Sequence, residues 1–217
     1  METEIKLGFS SEEDMDRLWK DPLFSSLYIP GSEREVELET IYFDTADHEL
    51  RKMRASLRVR KNGEDGYIHT LKQKVEAKDG LHQRYEWNME SDSDSFSADF
   101  FGDHAVSNGD PDEILDSLLD AIRGRDLREL FSTRYKRKTF MAGFDDSLLE
   151  VALDTGTLLS GGMEEFFCEM EIELKEGDVR DIISLGEEIM ANSSAFPDSR
   201  SKYSRCFSLL ERRAQQG

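Results

Sequence analysis

The sequence predicts an α+β fold that is mainly β: an eight-stranded antiparallel closed β-barrel, at the usual approximate strand count of about eight, with a few flanking helices. Three observations lead there. Short segments with period-two alternation recur along the chain, separated by turn-forming residues. They follow one another as a meander of hairpins rather than alternating with helices. An antiparallel sheet of that size loses its exposed edges by closing on itself.

Residues 3–9 alternate and read as the first strand. A helix then starts at Ser10-Ser11-Glu12-Glu13, where Ser10 or Ser11 can cap and Glu13 or Asp14 lies three residues on. Met15, Leu18 and Trp19 form its apolar face, and Pro22 ends it. Strands follow at 35–44, 55–61, 67–75 and 81–89, with turn signals at Asn62-Gly63 and Lys78-Asp79-Gly80. Residues 90–109 are rich in Ser and Asp and read as an irregular excursion pinned by Phe96, Phe100 and Phe101. Residues 111–125 form a helix: Asp110 caps, Pro111 takes the first helical position, and Ile114, Leu115, Leu118, Leu119 and Ile122 make the apolar stripe. Further strands fall at 131–142, 148–155 and 165–175. Asp178 caps a helix carrying Ile182, Ile183, Leu185, Ile189 and Met190, and a short segment at 202–210 closes the chain. With no internal repeat or interdomain linker, residues 1–217 read as a single domain.

The strand faces are unusual. Glu2, Glu4 and Lys6 share one side, opposite Ile5 and Leu7. Glu169, Glu171, Glu173 and Lys175 oppose Met170, Ile172 and Leu174, while Glu150 and Asp154 oppose Leu149, Val151 and Leu153. Arg58 and Arg60 oppose Leu57 and Val59, Lys72 and Lys74 oppose Leu71, and Arg84 and Glu86 oppose Tyr85 and Trp87. Acidic residues dominate the first, seventh and eighth strands, and basic residues the third to fifth. A solvated sheet also has one polar face, and periodicity alone does not say which way it points. Clustered like charges nevertheless destabilise neighbouring strands, so the carboxylates call for a counter-ion such as a bound metal. Their oxygens suit Mg²⁺ or Mn²⁺, and Arg and Lys suit phosphoryl oxygens.

Composition narrows the partners. The chain is 37% hydrophobic and 35% charged, with a formal net charge of −19. That surface disfavours duplex nucleic acid but not a small anion in a locally basic pocket. Cys168 and Cys206 lie in no CxxC or His/Cys cluster and read as reduced, buried thiols of a cytoplasmic protein. The segment METEIKLGF lacks the pattern of a signal peptide, and no stretch approaches the roughly 18 apolar residues of a membrane span.

The ordered motifs carry a family resemblance. Glu2-Thr3-Glu4-Ile5-Lys6 is followed by Ile41-Tyr42-Phe43-Asp44-Thr45, Leu57-Arg58-Val59-Arg60, Thr70-Leu71-Lys72 and Arg84-x-Glu86. Ala152-Leu153-Asp154-x-Gly156, Glu169-x-Glu171-x-Glu173 and Ser201-Lys202-Tyr203 complete the set. The chain resembles the CYTH, or triphosphate tunnel metalloenzyme, superfamily from residue 2 to residue 205. Gly80-Leu81-His82-Gln83-Arg84 and Leu130-Phe131-Ser132-Thr133 look like bacterial inorganic triphosphatases. Some of those carry a helical polyphosphate-associated (CHAD) domain after the barrel; residues 1–217 hold no such segment, either naturally or because the chain is a piece of a longer one.

The resemblance implies an eight-stranded antiparallel tunnel hydrolysing tripolyphosphate to pyrophosphate and phosphate with Mg²⁺ or Mn²⁺. Glu2, Glu4 and Glu173 would be the leading metal ligands, with Asp154, Glu169 and Glu171 as further ligands or water-positioning groups. Lys6, Arg58, Arg60, Lys72, Arg84, Arg137 and Lys202 would contact phosphates, with Arg205 beside them. Glu4, Lys6, Glu171 and Lys202 would form the catalytic group, and Glu86 and Glu150 would orient the bases or assist a second metal. His69 and His82 read as structural or surface residues, Lys74 and Lys175 as mouth residues, Tyr203 as packing, and Trp19 and Trp87 as core. Alternatives within the family are a class IV-type adenylate cyclase and a thiamine or nucleoside triphosphatase. A non-enzymatic polyphosphate-binding module is the alternative outside catalysis. Related tunnels often pair as homodimers, which the sequence itself neither shows nor excludes.

Overall fold

One strand, β1 (Glu2–Gly8), closes the sheet by pairing on both sides. Glu2 and Ile5 lie opposite Arg84 and Leu81 of β5 (Leu81–Ser91), while Glu4, Lys6 and Gly8 lie opposite Glu173, Glu171 and Glu169 of β8 (Met163–Glu176). The computed structural model describes residues 1–62 and 66–215. The other strands are β2 (Arg34–Thr45), β3 (Ala55–Asn62), β4 (Gly66–Lys78), β6 (Leu127–Phe144) and β7 (Ser147–Ser160). A two-residue β9 (Phe196–Pro197) adds to the end of β1. The sheet order β5-β4-β3-β2-β6-β7-β8-β1-β9, with β5 also paired to β1, is a closed eight-strand antiparallel barrel plus one extra strand.

The helices are α1 (Glu12–Trp19), α2 (Pro22–Leu27), α3 (Glu49–Lys52), α4 (Ala98–His104), α5 (Asp112–Ile122), α6 (Val179–Asn192) and α7 (Lys202–Ala214). They cover the outside of the barrel because the apolar strand faces point outward. Ile5, Leu7, Val151, Leu153, Met170 and Ile172 pack against Met15 and Leu18 of α1 and Ile182, Leu185 and Ile189 of α6. Leu57, Leu71, Trp87 and Met89 pack against Phe101 of α4 and Leu115, Leu118, Leu119 and Ile122 of α5. A third cluster lies on the inward face at one end: Tyr42, Phe131, Tyr135, Leu158 and Phe167 meet Cys206, Phe207 and Leu209 of α7, which plugs that end. No helix among the described residues is long and apolar enough to cross a membrane.

Several local expectations are corrected. Pro22 does more than end α1: it opens α2, a first-turn position where its missing N–H costs nothing. Asp110 does not cap α5. Pro111 holds the cap position, and the Asp110 carboxylate accepts the Glu86 backbone N–H at 2.9 Å. The 90–109 excursion contains α4, capped by Ser97; Phe101 is buried there, but Phe100 is 48% exposed and stacks on His104. The closing segment is a full helix, α7, capped by Ser201. Asp79 and Gly80 both take positive φ in the expected β4–β5 turn. Trp87 is core, whereas the Trp19 side chain and Gly63 lie outside the described residues.

Gly156 shows how tightly β6 and β7 close. A Cβ there would stand 2.2 Å from the Arg134 carbonyl oxygen and 2.4 Å from Tyr135 Cβ. Gly156→Ala is expected to destabilise the fold by about 2 kcal/mol through overpacking, read by urea unfolding. An unchanged midpoint would contradict the close approach.

Candidate functional site

The inward faces enclose a cavity of about 460 Å³ lined by charged side chains from β1, β3, β4, β5, β6, β7, β8 and α7. Strand register assembles it. Lys6 faces Glu171, Glu4 faces Glu173, Glu150 also faces Glu173, Arg137 faces Asp154 and Glu2 faces Arg84. Lys202 enters from the first turn of α7.

A first group is fully paired. Lys202 Nζ lies 2.6 Å from Asp154 and 3.2 Å from Glu171, and it contacts Glu169 as well. Lys6 Nζ sits 3.2 Å from both Glu169 and Glu171. Arg137 forms a fork on Asp154 at 2.7 and 2.6 Å and also binds Glu171. Burial alone would raise the Asp154 and Glu171 carboxyls. The charges of Arg137 and Lys202 outweigh it and hold both below the usual carboxylate range, with Lys6 adding to the effect on Glu171.

A second group is unevenly compensated. Lys72 binds Glu2 at 2.9 Å and also Glu86. Arg84 lies 2.7 Å from Glu4, 3.6 Å from Glu2 and 2.9 Å from His82 Nδ1. Burial, reinforced by the Glu4 and Glu86 charges, pushes the Glu2 carboxyl up to about 7 despite Lys72 and Arg84. Burial also raises Glu173, although Lys175 pairs with it at 2.9 Å. Burial would raise Glu4 too, but Arg84 holds it low. Burial, Arg84 and Lys6 push the His82 imidazole down to about 4.

A third group carries surplus positive charge. Among the described residues, no carboxylate lies within ion-pair distance of Arg58 or Arg60, although both line the cavity. Arg60 donates to Thr40 Oγ1 at 3.3 Å and to Tyr135 Oη at 2.8 Å, and Arg58 Nε is buried without an acceptor. Burial and the neighbouring Arg58 charge lower the Arg60 pKa.

Two sets of carboxylates are candidate metal ligands. Asp154, Glu169 and Glu171 bring oxygens within 4.8 Å of one another, but Lys6, Arg137 and Lys202 already balance them. Glu2, Glu4 and Glu173, with Glu150 in register beside Glu173, do not converge to that distance; burial raises Glu2 and Glu173, while Arg84 holds Glu4 low. Their oxygen donors fit a hard divalent cation.

Other predicted residues are spread around this core. Asp154 and Glu169 lie beneath the lining, fully buried. Arg205 does not line the cavity: Glu165 holds its guanidinium at 2.9 Å, with Glu169 at 3.6 Å behind it. Lys74 lines the cavity, and Lys175 is part-exposed at its edge. His69 is buried elsewhere, its Nε2 at 2.7 Å from the Ser93 carbonyl. Tyr203 lines the cavity while packing on Tyr42 and Phe131. The sequence reading missed Arg51 and Arg54, which also line the cavity. Arg51 lies in α3 and Arg54 two residues beyond it; the start of α3 is held by the Asp44 carboxylate accepting the Leu50 and Arg51 N–H groups. Strand parity says nothing there, and only the Arg-rich run from 51 to 60 could have signalled them.

Comparisons with known proteins agree with this geometry. The model of the CYTH domain family matches residues 1–207. The inorganic triphosphatase of Haemophilus influenzae is 28% identical over 211 residues, covering 96% of this chain and 54% of that protein, so the chain spans about half its relative's length. A candidate adenylyl cyclase from Hippeastrum, described as having a dominant triphosphatase activity, superposes with a TM-score of 0.70 at 19% identity, covering 97% of each chain. A candidate adenylate cyclase from Bacillus halodurans superposes at 0.55 and 23% identity, over 95% of this chain and 100% of that one. Both structures share the fold.

The raised Glu2 carboxyl has a stability consequence. Its folded-state value, about 7, exceeds its ordinary 4.5, so its contribution is complete below about pH 4.5 and is lost as pH rises through 7. Glu2→Gln, which mimics the neutral acid, is expected to stabilise the metal-free protein at pH 8 by on the order of 1 kcal/mol. That gain should vanish near pH 4.5 in urea unfolding with chelator present; the opposite trend would refute the assignment.

Proposed function

The chain belongs to the CYTH domain family, and on that premise we propose that it is a metal-dependent inorganic triphosphatase cleaving tripolyphosphate to pyrophosphate and phosphate. The observation carrying this reading is the pair Arg58 and Arg60, two guanidiniums on one strand that face the cavity with no carboxylate within ion-pair distance among the described residues. A polyanion supplies the charge they lack, and guanidinium forks match phosphoryl oxygens.

The remaining groups divide the work. Lys6, Lys72, Arg84, Arg137 and Lys202 surround the same cavity and can neutralise the other phosphoryl groups once these displace part of the ion-pair network. Glu2, Glu4 and Glu173 would hold Mg²⁺ or Mn²⁺, which when bound supplies Lewis-acid neutralisation of phosphoryl charge. Glu171 is held ionised, so it accepts hydrogen bonds and can orient an attacking water, but it is a weak proton acceptor. In-line attack by such a water on a terminal phosphoryl group needs no covalent intermediate.

The cavity favours an inorganic substrate over a nucleotide. Most of its lining side chains are charged. The lining aromatics Tyr42 and Tyr203 pack on one another at 5.8 Å and on Phe131 at 5.2 and 5.3 Å, so they are occupied as packing groups. The buried free thiols Cys168 and Cys206 accord with a cytoplasmic location.

A substrate panel with Mg²⁺ and with Mn²⁺, at neutral and alkaline pH, tests the reading. Tripolyphosphate should be hydrolysed in preference to ATP, thiamine triphosphate and pyrophosphate, and chelator should abolish turnover. Glu4→Gln should reduce the rate by at least about 100-fold while the fold is retained by circular dichroism. Full activity in chelator, cyclic nucleotide from ATP, or tight tripolyphosphate binding without turnover would each overturn it.

A further inference from the structure

His82 belongs neither to the ion-pair network nor to the phosphate-gripping set, yet it lines the cavity and is only 2% exposed. Both ring nitrogens are engaged. Nδ1 lies 2.9 Å from Arg84 Nη2, and Nε2 lies 3.1 Å from the Asp198 carbonyl oxygen. A guanidinium only donates and a carbonyl only accepts, so the two partners select one neutral tautomer, with the lone pair on Nδ1 and the proton on Nε2.

The groups at either end of this bridge belong to the proposed site. Arg84 also contacts Glu4 and Glu2. The Asp198 backbone N–H donates to the Lys6 carbonyl at 3.1 Å. The Asp198 carboxylate accepts from the Arg200 backbone N–H at 2.9 Å and from the Arg200 guanidinium. That turn leads into Ser201, the cap of α7, and so into Lys202. The imidazole therefore spans from a cation on β5 to the turn that presents a cation on α7.

We propose that His82 is a positioning residue for substrate binding: as a neutral acceptor it holds the Arg84 guanidinium facing the cavity and ties it to the turn that presents Lys202. This rests on the phosphate-binding role proposed for Arg84. Without the Nδ1 acceptor, Arg84 retains only carboxylate partners, Glu4 and Glu2, and is drawn onto them and away from a phosphoryl group.

Side-chain geometry separates the two halves of the bridge. Asparagine can place an acceptor near the position of Nδ1, and glutamine a donor near that of Nε2. His82→Phe is expected to raise KM for tripolyphosphate by about 10-fold with kcat changed less than about 2-fold. His82→Asn should restore most of that affinity, and His82→Gln should not. Equal losses in the Asn and Phe variants, or a fall in kcat at constant KM, would overturn the proposal.

Nitrogen-15 NMR of the full wild-type chain reads the tautomer without activity, with His82→Asn identifying the signal. A neutral ring protonated on Nε2 is expected; a proton on Nδ1 would overturn the proposal. If wild type turns over no tripolyphosphate, the catalytic reading fails. The tautomer and the calorimetric Kd for tripolyphosphate, ordered wild type, Asn, then Phe, still decide the role of His82.

Discussion

Charge placed inside a barrel has to be matched by opposite charge, and that constraint runs through this structure. An isolated ionised side chain in a low-dielectric interior costs several kcal/mol, more than a domain of this size can spare many times over. Asp154 and Glu169 are nonetheless fully buried, because Arg137, Lys202 and Lys6 reach them from β6, α7 and β1. Filling the interior with charge also turns the apolar strand faces outward. They then need α1 and α6 on one side and α4 and α5 on another, while α7 plugs one end with aromatic side chains. The helices are thus a consequence of the polar interior.

Matching is incomplete in two places, and these give the cavity its chemistry. Arg58 and Arg60 have no carboxylate within ion-pair distance among the described residues, and Glu2 and Glu173 are raised where β1 meets its neighbours β5 and β8. Burial is the first cause of the raised Glu2 and Glu173 carboxyls and of the lowered Arg60 guanidinium, and neighbouring like charges add to it; burial would lower Arg58 too, but Tyr42, Glu86, Tyr135 and Glu2 raise it. On the proposed function, a triphosphate bound with a divalent cation would complete both groups at once. The balanced cluster of Asp154, Glu169 and Glu171 sets the positions of Lys6, Arg137 and Lys202 between them.

Much of the architecture was legible because strand alternation is nearly complete, as in Glu169, Glu171 and Glu173 against Met170, Ile172 and Leu174. Period two could not show that the charged side faces inward; the family resemblance supplied that, and the closed sheet shows it. Helix α4 was missed because it is short and set in a Ser- and Asp-rich stretch. Asp110 looked like a cap but serves a backbone N–H of a distant strand. Strand parity could not show that Lys6 and Lys202, from opposite ends of the sequence, reach Asp154 and Glu169. Arg205 lies one helical turn beyond Lys202 and pairs with Glu165 instead, a displacement along α7 that motif spacing does not carry.

The account stands on the surplus cations of β3. Calorimetric titration of tripolyphosphate into the metal-free protein, comparing wild type with Arg58→Ala/Arg60→Ala, tests them most directly. Wild type should bind with an affinity that weakens as salt screens the charges, and the double variant should lose at least about 100-fold in Kd while remaining folded. Equal affinity in the two proteins would contradict the account.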